Sequence, residues 1–385
     1  MRRKVNVDLR DVNLPDMGMS VYANEMTLRL MNYSDLEIRG TVLKRGLLHS
    51  LHNPEDYARF DFPVYTTRFP AWVVMNPPLP LAYRLTRALL RFFIFSYNSL
   101  VGDDESDIFL FFMNQASDFP IKGKTIVCVH DIIPLRMPWA CAEEVIRNCE
   151  SAFPHVLEKS TKIITDSEFS KQDIIDYAHI DESRIDVIHC GVDAEMFSVP
   201  CPDMENVRIK YGLPGKYILY FGSCRPYKNV ESVISAYARL PEAVRKEYAL
   251  VITNPNDVVR DYAVKRNIIP HYIENVSAKD KAAVYQMASV FVWPSLYEGF
   301  GLPVIEAQAA GTPVVCSNVT SLPEVAGDAA VLVAPKDTKS IAAAIEHCLY
   351  DEPFQQDLIA KGHKNVKRFT WDNAAKKLHD IIINL

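Results

Sequence analysis

The sequence contains no G-x-G-x-x-G and no G-x-x-x-x-G-K-S/T, which argues against a dinucleotide oxidoreductase and a P-loop NTPase. It has no H-E-x-x-H and no two aspartates spaced D-x-D, so no dedicated carboxylate-type metal site is expected. The eight cysteines (128, 141, 149, 190, 201, 224, 316, 348) form no C-x-x-C pair and sit partly in strand-like runs, as expected for reduced thiols in a cytoplasmic protein. An excess of positive charge is also missing: 42 Lys plus Arg face 48 Asp plus Glu, a net charge of -6, so nucleic acid is not an expected partner. No stretch approaches the ~20 apolar residues that span a bilayer. The opening MRRKVNVDLRD has a basic head but meets Asp8 and Asp11 before any apolar core, so it is not expected to be a secretory signal. Glycine is scarce, at 14 of 385 residues, about half the usual ~7%. A tight cluster of glycines is therefore informative, and Gly299, Gly301 and Gly311 form one.

What is present is a soluble-globular composition, 49% hydrophobic and 23% charged, with length for about two or three domains. Strand-like runs alternate with helix-like segments, the pattern of parallel sheets with crossover helices. The first half offers LEIRGTVLK (36 to 44), DIFLFFM (107 to 113), TIVCVHD (125 to 131), KIITDS (162 to 167) and RIDVIHCGV (184 to 192). The second restarts with KYILYFGS (216 to 223), YALVITN (248 to 254), ASVFVWPS (288 to 295) and TPVVCS (312 to 317). Between them, Pro200-Cys-Pro-Asp and the stretch to Gly212, Pro214 and Gly215 read as a linker. In 229 to 240, Val230, Val233, Ile234 and Tyr237 fall at i, i+3, i+4 and i+7, which predicts an amphipathic helix. The expected fold is α/β, with two doubly wound parallel-sheet domains whose ligands bind beyond the carboxyl ends of the strands.

Three strand-end segments carry the candidate chemistry. In EGFGLPVIEAQAAG (298 to 311), Pro303 suits the first turn of a helix over about 303 to 310 and Gly311 its stop. Its exposed N–H groups and dipole favour a phosphate, and Gly299 and Gly301 permit close backbone approach. Glu298 and Glu306 flank the loop, either to accept from sugar hydroxyls or merely as a solvated carboxylate and a dipole partner. In FGSCRPYKN (221 to 229), Arg225 and Lys228 are candidates to neutralise a diphosphate, or ordinary surface cations. His130-Asp131 closes a strand; the imidazole is either a substrate-side group or a structural histidine held by Asp131.

These residues resemble the retaining glycosyltransferases of family 4. Glu298 and Glu306 reproduce that family's E-x7-E motif in the context EGFGLPVIEA. TDSEFSKQDI (165 to 174), VIHCGVDAEMF (187 to 197), the KN pair at 228 and 229, SLPEVAGDAAVLVAP (321 to 335) and FTWDNAAKKLHDII (369 to 382) resemble family blocks in the family's order. The resemblance covers about 107 to 382 and implies the GT-B architecture. It implies an N-terminal acceptor-binding domain over 1–200, a nucleotide-sugar-binding domain over 201–366, and a helix at 367–385 returning to the first. It also implies roles: Glu306 on the donor ribose, Glu298 on the donor hexose, and the amides of Phe300, Gly301 and Leu302 on sugar and phosphate. Lys228 would meet the diphosphate, His130 the transferred sugar, and Asn275 and Val276 the base. Two departures stand out: Ser223 follows Gly222 where many relatives carry an arginine, leaving Arg225 as the substitute, and the acceptor-side loop reads Gly18-Met-Ser20-Val-Tyr22.

The expected activity is transfer of a hexose, with mannose from GDP-mannose as the best guess, to a glycan or lipid-linked saccharide in surface polysaccharide synthesis, with no cofactor beyond the donor. A sugar-nucleotide epimerase and a non-catalytic sugar-nucleotide-binding module are the alternatives. Pro63 to Gly102 contains no Asp or Glu, and on a helix over about 81 to 97 Arg84, Arg87 and Arg91 share a face among aromatic residues. That pattern predicts peripheral contact with an anionic membrane at the inner face of the cytoplasmic membrane; the alternative is a solvated basic face.

Overall fold

A computed structural model describes residues 2–10, 18–44, 57, 59–70, 96–114 and 119–385. The first sheet has seven strands: β1 (Arg3–Asp8), β2 (Leu36–Lys44), β3 (Val64–Pro70), β4 (Ile108–Phe111), β5 (Lys124–Cys128), β6 (Lys162–Thr165) and β7 (Ile185–Val187), in the order β3-β2-β1-β4-β5-β6-β7. The second has β8 (Tyr217–Tyr220), β9 (Ala249–Thr253), β10 (His271–Ile273), β11 (Val290–Trp293), β12 (Val314–Ser317) and β13 (Val331–Val333), in the order β10-β9-β8-β11-β12-β13. Every pairing is parallel. IFLF of β4, YILY of β8 and VFVW of β11 are buried along their whole length, as strands covered by helices on both faces must be.

Strand order reverses between β1 and β4 in the first sheet and between β8 and β11 in the second. A crevice opens outside the carboxyl ends at such a point. Phe221 to Asn229 follows β8 and Pro294 to Gly301 follows β11, so both motif loops flank the second switch point. His130 and Asp131 follow β5 on the facing edge.

The strand at 36 to 44 forms as read, whereas most others stop short of the expected range because their polar ends belong to the loops that build the site. Four strands escape the sequence reading: β1, β3, β10 and β13. β1 is hidden because its two buried apolar positions, Val5 and Val7, alternate with Lys4, Asn6 and Asp8; Asn6 is buried by bonding Asp103 and Thr41. The helix at 229 to 240 is observed over Val230–Arg239, and the glycine-cluster helix over Leu302–Ala309. The final helix, Trp371–Asn384, packs on helix Gly18–Leu30 of the first domain. Arg29 bonds Asp372, and the His379 ring stacks on Tyr33 with centroids 4.0 Å apart. Arg84, Arg87 and Arg91 lie outside the described residues. Among those described, no helix is long and apolar enough to cross a membrane.

Candidate active site

At the second switch point, Lys228 ends a short 3-10 turn (Pro226–Lys228), and the next residue, Asn229, takes the left-handed conformation at φ 59°. The Asn229 amide donates to the carbonyls of Pro294 (2.8 Å) and Pro335 (2.7 Å), tying the β8 loop to the β11 loop. That staple is the structural content of the KN pair. It aims the Lys228 ammonium at Glu298, where Nζ donates to both carboxylate oxygens at 2.8 and 2.7 Å. Ser295 Oγ donates to Glu298 Oε1 at 2.7 Å, and the ammonium lies over the Trp293 ring at 5.1 Å. Both partners are largely withdrawn from water, so the charge-assisted bonds hold a fixed geometry.

Helix Leu302–Ala309 begins at Gly301, whose φ of 110° is closed to side-chain-bearing residues, with Pro303 in the first turn. Pro303 offers no N–H and the Val304 N–H bonds the Gly301 carbonyl at 3.0 Å, so an anion at this helix start would meet the amides of Gly301 and Leu302. Glu306, one turn on, is buried. Its carboxylate accepts from Lys281 and, at 3.2 Å, from the Tyr285 hydroxyl, two residues one turn apart on helix Ala278–Gln286. Two oxygens with acceptor capacity remaining match a vicinal diol.

Across the cleft, His130 is enclosed. Its Nδ1 lies 2.7 Å from Asp166 Oδ2, and Nε2 donates to the Phe112 carbonyl at 2.9 Å. Burial alone would lower its pKa, but the Asp166 carboxylate and neighbouring Cys128 outweigh that and hold it well above the usual imidazole value. The holder is Asp166, not Asp131. With both ring nitrogens engaged, the part of residue 130 that reaches the second domain is its backbone: a Cβ on Gly299 would come within 2.6 Å of the His130 carbonyl oxygen. Asp131 instead accepts from the Ile133 amide at 3.0 Å, and burial raises its pKa.

A family model for glycosyl transferases group 1 matches residues 203–365, the part of the chain that holds the β8 and β11 loops. The chain is 33% identical over 257 residues to O-antigen chain mannosyltransferase B of Escherichia coli, spanning 65% of this chain and 68% of that protein. The chain belongs to the group 1 glycosyltransferases. It is also 30% identical over 267 residues to the serotype-specific mannosyltransferase WbdA of Escherichia coli; the match takes 66% of this chain but only 33% of that longer protein. The solved structure of WaaG, a glycosyltransferase involved in lipopolysaccharide biosynthesis, superposes with a TM-score of 0.72 at 16% identity over 98% of this chain and 99% of that one. The fold is GT-B.

In this glycosyltransferase the other sequence-named residues divide by location. Gly222 is half-buried and donates its N–H to Thr253 Oγ1 at 2.7 Å; Ser223 is exposed, and its carbonyl accepts from the Tyr220 hydroxyl. Arg225 is exposed and donates to the Tyr227 hydroxyl at 3.2 Å. Phe300 turns inward, with its ring against His189 and Phe369. Gly18, Ser20 and Tyr22, expected in a loop, stand in the first turns of helix Gly18–Leu30, and Leu302 approaches Gly18. Ser20 and Tyr22 are buried, Tyr22 edge-on to the His130 ring at 5.2 Å and to Trp371 of the final helix at 5.9 Å. Asn275 is exposed at φ 53°, with its N–H on Asn254 Oδ1, and Val276 is half-buried beside it at the end of β10. Sequence reasoning missed Lys281, Tyr285, Ser295 and Asp166. Only the i, i+4 spacing of Lys281 and Tyr285 hints at a shared face.

Proposed function

We propose that this chain is a retaining, metal-independent hexosyltransferase that moves mannose from GDP-mannose to a saccharide or lipid-linked saccharide acceptor during assembly of a bacterial surface polysaccharide. The observation that carries the reading is the Lys228–Glu298 pair at the switch point, where two of the ammonium's three protons bind one carboxylate. The third is available to a phosphate. Mannose is favoured because the relatives reported above are mannosyltransferases by name. Glu306 would hold the donor ribose, and the helix end at Phe300, Gly301 and Leu302 would receive the diphosphate.

In the proposed reaction the bond from the anomeric carbon to phosphate oxygen breaks, and the acceptor oxygen bonds that carbon on the same face. The departing phosphate takes the acceptor's proton. Lys228 and the helix end stabilise the charge that grows on the phosphate, the electrostatic effect that usually dominates such steps. The acceptor's lipid carrier places the work at the inner face of the cytoplasmic membrane, with the basic stretch around Arg84, Arg87 and Arg91 at anionic headgroups.

The test is incubation with GDP-mannose or UDP-glucose, with and without a lipid-linked saccharide and with EDTA, followed by NMR of the product. Mannose transfer with retained anomeric configuration in EDTA is the expected result. Conversion of the donor to another nucleotide sugar without acceptor would make the protein an epimerase, whereas a transferase would at most hydrolyse it slowly; loss of transfer in EDTA would end the metal-free reading, and transfer from UDP-glucose alone would end the assignment of mannose.

A further inference from the structure

Four hydrogen bonds cross from the second domain to the first turn of one helix in the first. Helix Glu168–Ala178 starts at Ser167, whose hydroxyl accepts from the Ser170 N–H at 3.0 Å and donates to the carbonyl of Gly299 at 2.6 Å. Ser170 Oγ donates to the same carbonyl at 3.0 Å. Glu324, on helix Leu322–Ala326 of the second domain, accepts from the backbone N–H groups of Glu168 (Oε1, 3.0 Å) and Phe169 (Oε2, 3.3 Å). His189, on the segment after β7, donates from Nε2 to Glu324 Oε1 at 2.7 Å. A carboxylate from one domain thus caps the positive end of a helix in the other. Burial works against its charge, yet His189 and the two amides hold its pKa below the ordinary carboxylate value.

Gly299 lies between Glu298 and Phe300. On its other side, Ser321 Oγ, three residues before Glu324, contacts the carbonyls of Glu298 (3.0 Å) and Phe300 (2.7 Å). The loop carrying Glu298 is therefore gripped by hydroxyls from both domains, and its register against the His130 carbonyl depends on how firmly the domains meet there. We propose that Glu324 is a positioning residue of the transfer reaction: by capping helix Glu168–Ala178 across the cleft it locks Gly299, and with it Glu298, against the acceptor-binding domain. This rests on the glycosyltransferase reading of the Glu298 site. Glu324 bonds the amides of Glu168 and Phe169 and the His189 ring, none of which the proposed reaction assigns to the donor, so the lock acts on alignment of the two substrates and not on donor affinity.

The experiment compares wild type with Glu324→Ala, Glu324→Gln and Ser170→Ala, measuring kcat with acceptor, donor KM and the dissociation constant of GDP. In parallel, the distance between labels introduced as non-natural residues at Glu182 and Val264, one on each domain, is measured without substrate. Glu324→Ala should lower kcat by roughly 10- to 100-fold, the scale of a small misplacement, with GDP affinity within about twofold, and should broaden the interdomain distance. Glu324→Gln keeps an acceptor for one amide and should recover part of kcat. Ser170→Ala, which retains the Ser167 cap, should give a smaller fall of the same kind and carries the test if Glu324→Ala does not fold. Wild-type kcat in Glu324→Ala, or a fall in GDP affinity that matches the fall in kcat/KM, overturns the proposal. If wild type neither binds GDP nor transfers a sugar, the functional reading fails; an unchanged distance in Glu324→Ala separately overturns the lock.

Discussion

Glu298 and Glu306 are eight residues apart and carry different loads. In the proposed reaction Glu298 is tied to the cation that meets the reacting end of the donor, while Glu306 is tied to Lys281 and Tyr285 on helix Ala278–Gln286. Glu298→Ala should therefore lower kcat on the order of 10² with little change in donor KM. Glu306→Ala should raise donor KM and largely spare kcat, because the ribose is unchanged during reaction. Initial rates over a donor series separate the two, and equal effects on KM would refute the assignment. His130 permits a prediction about pH. Its native pKa is raised above the unfolded value, so its stabilisation is complete below about 6.5 and is lost as pH climbs through the higher native value. The melting-temperature gap between wild type and His130→Gln should accordingly be widest below the unfolded value and shrink as pH climbs through the raised native one; a gap that widens with pH would contradict an ion-paired imidazolium.

At the scale of elements, helix Ala278–Gln286 matters because it presents Lys281 and Tyr285 to Glu306, and its own start is fixed by Asp280. That buried carboxylate accepts from Lys210 (2.6 Å), Ser277 Oγ (2.6 Å) and the Tyr211 hydroxyl (2.9 Å), joining it to helix Met204–Tyr211. The bond to Lys210 leads the effects that lower its pKa to about 2 from 3.8. The contribution is thus fully present above the unfolded value and disappears as pH falls through the native one. Acid denaturation should show Asp280→Asn less stable than wild type by a constant margin above about pH 5, with the margin closing toward pH 2. Strands show the same dependence on context. The apolar runs of β8 and β11 are plain in the sequence, whereas β1 lies inside its sheet with a buried Asn6 satisfied by Asp103 and Thr41, partners distant in sequence.

For the whole molecule, the chain's end is part of its beginning. Trp371 lies edge-on to Tyr22 at 5.9 Å, Leu378 and Ile382 are fully buried, and the helix they belong to covers helix Gly18–Leu30. Truncation after residue 370 would uncover Tyr22, Met26 and Leu30, residues now sealed from water. It should lower the first domain's melting temperature while the second keeps its own, so that calorimetry resolves two transitions. A single unshifted transition would show that the returning helix is dispensable.

Local pattern reaches far in this chain. Apolar runs, the i, i+3, i+4 spacing of 230 to 237 and the Gly-Leu-Pro start of the helix at 302 report burial and backbone geometry within one element, and those features depend on neighbours in sequence. The motif residues Lys228, Glu298 and Glu306 were legible for the same reason, since each stands beside a strand end or a helix start. Partner choice was not legible. His130 meets Asp166, Lys228 meets Glu298 from 70 residues away, and Ser167 meets Gly299 from 132 residues away. The first two arise because strand order sets β5 beside β6 and β8 beside β11 within one sheet, and the third because the two sheets bring their carboxyl ends face to face across a cleft; strand order and domain docking decide them, not the residues adjacent to any one of the partners.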